Sequence, residues 1–316
     1  MSLACVFPGQ GSQSVGMQGD LAAHHPIVQS TYAEASAALG YDLWQLVSTG
    51  PAEQLNRTEC TQPAMLAAGV ATWRSWSGQG GATPAVVAGH SLGEFTALVC
   101  AGALDFAVTV TLVRDRGRYM QSAVPPGGGA MAAILGLDDA AAEAACVEAA
   151  QGEVVEAVNY NAPGQIVIAG QASAVARAIA AAKARGARRA VLLPVSVPAH
   201  SSLMQGATAQ LRERLAGVSI AVPRIEYVSA VDAQAHHEPG EIRALLERQL
   251  ASPVRWSATV LALTARGTNQ VVECGPGKVL TSLNRRIERR PEISCLAIED
   301  QASLLAALAA TRSAST

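Results

Sequence analysis

The segment that most constrains this chain is Gly89-His90-Ser91-Leu92-Gly93-Glu94, which lies between two apolar stretches. The short run at 85–88 predicts a buried strand, and the Ala- and Leu-rich stretch at 95–101 predicts a helix. A Gly-x-Ser-x-Gly between strand and helix is typical of a nucleophile elbow, a sharp turn that exposes the serine hydroxyl at the sheet edge. A chance Gly-x-Ser-x-Gly lacks such flanks, so the sequence predicts that Ser91 is a nucleophile, beside backbone N–H groups that can hold an oxyanion.

Alternation of strand-like and helix-like segments indicates an α/β protein with a mainly parallel sheet. The stretch Pro125-Pro126-Gly127-Gly128-Gly129 is the clearest linker. Behind it, the order strand, helix, strand, strand, helix, strand predicts a ferredoxin-like subdomain at 125–196. We therefore expect a large α/β domain formed by 1–124 and 197–316, with the subdomain inserted into it.

Composition excludes several classes of function. The 316 residues carry a net charge of −2, which does not favour binding to nucleic acid or to an anionic membrane. No apolar run is long enough to span a bilayer, and no signal peptide precedes the first predicted strand. The six cysteines form no Cys-x-x-Cys pair and the histidines show no metal-ligand spacing, so we expect reduced cysteines, no metal and a cytoplasmic protein.

The glycine loop at 8–13 follows the first predicted strand and resembles a dinucleotide fingerprint only in part. Ser14 occupies the position of the third glycine, and no acidic residue ends a second strand at the required distance. The sequence thus predicts no bound cofactor. A glycine loop at the carboxyl end of a strand still belongs near the active site of an α/β sheet.

A serine nucleophile needs a base, and His200 is the best candidate. It lies in a Pro-containing loop between small residues, whereas His24, His25, His236 and His237 lie in polar loops that predict solvated side chains. His90 adjoins the nucleophile, but a neighbour in a tight turn points elsewhere. No acid stands out as a third member of a triad, because Asp138 and Asp139 open an Ala-rich helix and are better explained as caps.

One arginine on the helix predicted from about Phe106 to Gln121 is a candidate binding residue. Arg116 borders the apolar stripe of this helix, whereas Arg114 and Arg118 face away from it. An arginine at the edge of such a stripe is either a surface side chain with its stem buried or a functional cation. The spacing leaves both interpretations open.

Five segments in order along nearly the whole chain resemble the malonyl-CoA:acyl carrier protein transacylases. They are FPGQGSQ at 7–13, GHSLGE at 89–94, NAPGQ at 161–165, PAH at 198–200 and ECGPGKVL at 273–280. The resemblance implies a hydrolase-like core with an inserted ferredoxin-like lobe and an active site in the cleft between them. One departure is Ser282, where this family usually has glycine.

The resemblance also implies a role for each site residue. Ser91 is then the acylated nucleophile, His200 the base, and Gln249 the residue whose backbone carbonyl orients that base. Gln10 and Leu92 supply oxyanion N–H groups, and Arg116 holds the malonyl carboxylate through its fork of donors. The remaining substrate-binding candidates are Met120, Asn159, Asn161 and His90.

We therefore expect a monomeric serine acyltransferase that moves malonyl from malonyl-CoA to acyl carrier protein in fatty-acid synthesis, a chemistry that polyketide synthesis also uses. Basic residues near the last helices, Lys278, Arg285 and Arg286, are either a docking surface for the acidic carrier or solvated helix ends. The alternatives are a serine esterase or thioesterase, which needs a triad acid, and an inactive acyltransferase-like docking protein.

Overall fold

The structure is a computed structural model that describes residues 2–195 and 197–312. Strands and helices alternate along most of this length. The strands are β1 (Ser2–Phe7), β2 (Val86–Gly89), β3 (Gly129–Leu135), β4 (Val155–Ala162), β5 (Gln165–Gln171), β6 (Arg189–Leu192), β7 (Glu226–Val228), β8 (Ala235–His236), β9 (Thr268–Cys274) and β10 (Ser294–Ile298).

The helices cover both faces of the larger sheet and one side of the smaller. They are α1 (Gly19–His24), α2 (Pro26–Leu39), α3 (Leu43–Thr49), α4 (Ala52–Leu55), α5 (Thr58–Gly78), α6 (Gly93–Cys100), α7 (Phe106–Ser122), α8 (Asp139–Ala150), α9 (Ala172–Ala184), α10 (Gln205–Ala216), α11 (Pro239–Arg248), α12 (Trp256–Ala265), α13 (Val279–Ile287) and α14 (Gln301–Arg312), with two 3-10 turns at Ser202–Met204 and Gln249–Ala251. In the described residues, no helix combines the length and apolar character needed to cross a membrane.

The larger sheet has the strand order β10-β9-β1-β2-β7-β8, and all its neighbours are parallel except the last pair. Its central strand β1 is almost wholly buried because helices pack on both faces. Leu3, Cys5 and Phe7 point into one apolar cluster and Ala4 and Val6 into another, as the two-residue period of a strand requires. The predicted mainly parallel α/β sheet is confirmed.

The smaller sheet has the order β4-β5-β3-β6 with antiparallel pairs, and α8 and α9 pack on it. This is the predicted β-α-β-β-α-β order. Asp138 accepts a hydrogen bond from the backbone N–H of Ala141 and so caps α8, as the sequence analysis expected. The domain limits stay a prediction, and Ser196, at the end of the predicted subdomain, lies outside the described residues, as do Met1 and residues 313–316.

The two sheets meet beside the carboxyl end of the parallel strands. The backbone of β4 exchanges hydrogen bonds with Val254, through Tyr160 N to Val254 O at 2.9 Å and Val254 N to Val158 O at 2.8 Å. The loops that follow β1 and β2 open at the same edge. Ligands of α/β proteins bind at such an edge, so the fold directs attention to the cleft between the sheets.

Candidate active site

The turn after β2 holds Ser91 in an unusual backbone conformation. Its φ is +53°, a left-handed value that non-glycine residues adopt rarely and that is concentrated at functional sites. The turn is possible because its flanking residues are glycines: a Cβ on Gly89 would lie 1.9 Å from the carbonyl carbon of Gly93. A Cβ on Gly93 would lie 2.0 Å from the carbonyl oxygen of Phe7. The observed strand, turn and helix confirm the predicted elbow geometry.

The hydroxyl of Ser91 contacts His200. Ser91 Oγ lies 2.8 Å from His200 Nε2, and His200 Nδ1 lies 2.9 Å from the backbone carbonyl of Gln249 and 3.1 Å from that of Ser252. Carbonyl oxygens only accept, so Nδ1 carries the proton and Nε2 is free to accept one from the serine. Burial, followed by the nearby Arg116 cation, lowers the pKa of His200 to about 3. The imidazole is therefore neutral at physiological pH.

The loop that carries His200 is fixed from the smaller sheet. His200 itself has a φ of +68°, and the carboxylate of Glu156 on β4 accepts from both the N–H and the hydroxyl of Ser202, each at 2.7 Å. These bonds hold the 3-10 turn that follows the histidine. The side chains of Ser91 and His200 thus reach each other across a separation of 109 residues.

Two backbone N–H groups beside Ser91 are available to a ligand. Within the described part of the chain, neither the N–H of Gln10 nor that of Leu92 has an acceptor, and both residues line the cavity in front of the serine. Leu92 directly precedes α6, where the helix dipole favours negative charge. An oxyanion formed next to Ser91 would find these donors already in place.

Arg116 is wholly buried, with 1% of its surface exposed, rather than at the border of an apolar stripe as its spacing suggested. Nη1 donates to Gln62 Oε1 and Nη2 to Gln249 Oε1, both at 2.8 Å, and Nη2 lies 3.3 Å from Ser91 Oγ. Burial lowers the pKa of Arg116 to about 9 while Glu94 acts against this effect, so the guanidinium remains charged at neutral pH. Its burial beside Ser91 rules out the interpretation as a surface side chain.

The other two arginines of α7 have ordinary surroundings. Arg118 has a side chain that is 55% exposed and paired with Glu59, as its predicted outward position requires. Arg114 bonds to Asp115 and its side chain is only 22% exposed, so it is less solvated than expected.

Two residues of the site escaped the sequence analysis. Gln62 on α5 accepts from Arg116 and donates to Met120 Sδ at 3.2 Å. Glu94 is 1% exposed and accepts from the side chain of Gln249 at 2.8 Å. Burial raises the pKa of Glu94 while its hydrogen-bond donors act in the opposite direction. The only signal in the sequence was an acid directly after the elbow, at the start of an apolar helix.

The cavity in front of Ser91 has a volume of about 520 Å³. Met120, Asn159 and His90 line it, as predicted, together with residues of the loop before His200. Asn161 does not line it: its Oδ1 lies 2.9 Å from His90 Nε2, so it fixes the His90 ring from behind. Burial lowers the pKa of His90, which is thus a neutral donor to Asn161 and makes no bond to the nucleophile.

The remaining histidines correct one prediction. His25 is only 7% exposed, and its Nε2 bonds to Gln301 Oε1 at 2.5 Å, so the expectation of a solvated side chain was wrong. The side chain of His236 is only 16% exposed, between Asp232 and Glu241, so it too is less solvated than predicted. Across 2–195 and 197–312, no group of three or more His, Cys, Asp or Glu side chains is arranged to hold a metal ion.

The three basic residues proposed for docking differ in solvent exposure and in their hydrogen-bond partners. Lys278 is 71% exposed and pairs loosely with Glu299 at 3.4 Å, whereas Arg285 donates to the backbone carbonyl of Cys295. Arg286 bonds to Gln165 on β5 and to the carbonyl of Pro163 in the turn before β5. Lys278 and Arg286 line a separate shallow groove of about 300 Å³, and Arg285 does not.

Comparison with known proteins agrees with this geometry. The model of the acyl transferase domain family matches residues 4–298. The malonyl CoA-acyl carrier protein transacylase of Salmonella typhimurium is 54% identical over 305 residues, which cover 96% of this chain and 98% of that protein.

Solved structures give the same result. An acyl carrier protein S-malonyltransferase from Vibrio cholerae superposes with a TM-score of 0.94 at 53% identity and covers 97% of this chain and 99% of that one. A malonyl-transacylase in complex with a type II polyketide acyl carrier protein gives 0.96 at 51% identity, covering 98% and 100%. Because these matches extend over nearly the whole length of the chain and of its relatives, the chain belongs to the malonyl CoA-acyl carrier protein transacylase family of acyl transferases.

Proposed function

We propose that this protein moves a malonyl group from malonyl-CoA to Ser91 and then to the phosphopantetheine thiol of acyl carrier protein, in fatty-acid biosynthesis. The observation that carries the proposal is that His200 and Arg116 both contact the hydroxyl of Ser91. Ser91 Oγ lies 2.8 Å from a neutral imidazole and 3.3 Å from a buried guanidinium. The imidazole can take the serine proton. The guanidinium can bind the terminal carboxylate of a malonyl group whose thioester carbonyl is attacked by Ser91.

The acylation step follows from these contacts. His200 Nε2 takes the hydroxyl proton as Ser91 Oγ attacks the thioester carbonyl of malonyl-CoA. The N–H groups of Gln10 and Leu92 stabilise the negative oxygen of the tetrahedral intermediate. The intermediate then expels the coenzyme A thiolate, which receives the proton from His200. Transfer to the carrier repeats the steps in reverse, with the carrier thiol giving its proton to His200 and attacking the ester.

The malonyl carboxylate can bind where the two terminal nitrogens of Arg116 make only long hydrogen bonds. Each terminal nitrogen is held by one strong amide acceptor, Gln62 for Nη1 and Gln249 for Nη2. The second contact of each is weaker, to Met120 Sδ at 3.4 Å and to Ser91 Oγ at 3.3 Å. A carboxylate can replace these two contacts with two charge-assisted hydrogen bonds, while the two amides keep the fork in place.

The hydrogen bonds of the base favour transfer between thiols over ester hydrolysis. His200 Nδ1 faces the carbonyls of Gln249 and Ser252, not a carboxylate. A carbonyl fixes the tautomer but stabilises the imidazolium less than an aspartate does. This is sufficient for acylation, in which a thiolate leaves, and for transfer to the carrier, in which the attacking thiol loses its proton more readily than water does. An esterase or thioesterase would need the missing acid.

We further propose acyl carrier protein as the partner, malonyl-CoA as the small-molecule substrate with no bound cofactor, and a cytoplasmic monomer as the working form. Lys278 and Arg286, on the groove beside the smaller sheet, are the proposed contacts for the acidic carrier. Supply of polyketide synthesis is the second candidate, since one solved relative is complexed with a type II polyketide carrier.

The test is intact-protein mass after brief mixing with malonyl-CoA in the absence of carrier. We expect one added malonyl mass on the wild type, removed by hydroxylamine and absent from Ser91→Ala. His200→Ala should acylate about a hundredfold or more slowly, the usual loss for a positioned base. His90→Ala should slow acylation less than His200→Ala, because His90 lines the cavity but bonds Asn161 and not Ser91. A label that persists in Ser91→Ala, or that lies on a cysteine, contradicts the proposal.

A further inference from the structure

A buried carboxylate lies behind the catalytic residues without touching the cavity. Glu94 Oε2 accepts from the hydroxyl of Tyr227, from Ser229 Oγ at 2.8 Å and from the N–H of Ala230 at 3.2 Å, and Oε1 accepts from Gln249 Nε2 at 2.8 Å. Four donors converge on one side chain that is 1% exposed. A buried carboxylate is tolerated in its ionised form only where it is satisfied in this way.

The amide of Gln249 lies between this anion and the cation of Arg116. Its Oε1 accepts from Arg116 Nη2 at 2.8 Å, and its Nε2 donates to Glu94 and to the backbone carbonyl of Ser91 at 2.9 Å. Turning the amide over would put its NH₂ group against the guanidinium and its oxygen against the carboxylate. Both contacts would then be repulsive, so the two charges select one orientation of the amide.

Arg116 has no carboxylate within ion-pair distance in the described residues, and Glu94 faces it across the amide. Gln249 also supplies, through its backbone carbonyl, the acceptor for His200 Nδ1. One residue therefore connects the carboxylate to both functional groups. A change in its position would move the acceptor of the base and the support of the guanidinium together.

We propose that Glu94 is a positioning residue that sets the preference for malonyl over uncharged acyl groups. It does so by fixing the Gln249 amide, which in turn holds the Arg116 fork towards the malonyl carboxylate. The inference rests on the proposed role of Arg116. Glu94 contacts neither substrate nor reacting atoms, and its effect on selectivity passes through Gln249.

The experiment compares kcat and KM for malonyl-CoA and acetyl-CoA in Glu94→Gln and Glu94→Asp. Glu94→Gln keeps the shape but loses the anion, so the ratio of malonyl to acetyl kcat/KM should fall about tenfold, within the range of coupling found inside one hydrogen-bond network. The fall should come mainly from a higher KM for malonyl-CoA. Glu94→Asp retains an anion at a shorter reach and should give an intermediate ratio.

Glu273→Gln is a matched control for burial of a carboxylate. Glu273 on β9 is also fully buried and accepts from the N–H groups of Leu280 at 3.0 Å and Thr281 at 2.7 Å, outside the cavity lining. This variant should lower the melting temperature without changing the malonyl to acetyl ratio. In an Arg116→Ala background, Glu94→Gln should no longer change that ratio, because its route to the substrate is gone.

The outcomes separate the inference from the proposed function. A folded Glu94→Gln with the wild-type ratio overturns the inference, provided that Arg116→Ala does change the ratio. An Arg116→Ala that leaves the ratio unchanged overturns the proposed function instead. If Glu94→Gln does not fold, Glu94→Asp decides, and a wild-type ratio in that variant overturns the inference.

Discussion

Replacement of Arg116 by alanine should invert the substrate preference of this enzyme. The two terminal nitrogens of the buried side chain each have one weak contact that a malonyl carboxylate can replace. Charge-assisted hydrogen bonds contribute about 1.5 to 3 kcal/mol each, so losing two costs about 3 to 6 kcal/mol. This corresponds to a loss of roughly 150-fold to 25,000-fold in kcat/KM for malonyl-CoA. Acetyl-CoA has no carboxylate, and its transfer should change little or improve.

The assay is the initial rate of acyl transfer from malonyl-CoA and from acetyl-CoA at equal enzyme concentration. Arg116→Lys should restore charge but not the fork, and should recover only part of the malonyl rate. Arg118→Ala is the matched control on the same helix, because its side chain is 55% exposed and pairs with Glu59. Equal losses for both substrates in Arg116→Ala, with native folding, would mean that Arg116 supports the fold and does not select the substrate.

Two further predictions concern the base and the carrier. Because the pKa of His200 is lowered to about 3, kcat/KM for acylation should hold from pH 7 to pH 5 and be lost only as the pH falls towards that value. A histidine with an ordinary pKa of about 6.5 would lose about 25-fold over the same interval. Arg116→Ala, measured with acetyl-CoA, should shift the acid limb of this pH profile to higher pH by removing a nearby cation. Lys278→Glu should raise the KM for acyl carrier protein several-fold at low salt and less at high salt, whereas Arg212→Glu, 65% exposed and paired with Glu247, should not. An unchanged KM in Lys278→Glu would remove this residue from the docking surface.

Local sequence was sufficient for the elbow and for most elements. The strand β2 at Val86–Gly89 and the helix α6 at Gly93–Cys100 lie within two residues of the predicted ranges. Strand, turn and helix depend on residues near each other in the chain, and glycine at 89 and 93 meets a local steric demand. The parallel sheet and the β-α-β-β-α-β subdomain followed from the same periodicities.

The side-chain partners of the site required the tertiary structure. Helical spacing put Arg116 at the edge of a stripe, but α5 and the 3-10 turn at Gln249–Ala251 cover that edge and bury it. Likewise, nothing within α7 indicates that the acceptors of the guanidinium come from positions 62 and 249. Periodicity reports which face of an element is apolar, and it does not report which other element packs there.

The sequence by itself determined the elements, the order in which they alternate and the strand-to-helix turn that carries Ser91, because short-range sterics and hydrophobic period encode these. Family resemblance then supplied expected roles for distant residues, including Gln249. Only the tertiary structure decided that Glu94 lies behind Gln249 and that His25 is buried against Gln301. The physical reason is that the burial and hydrogen-bond partners of a polar side chain are set by segments far away in the chain, whose approach no local pattern records.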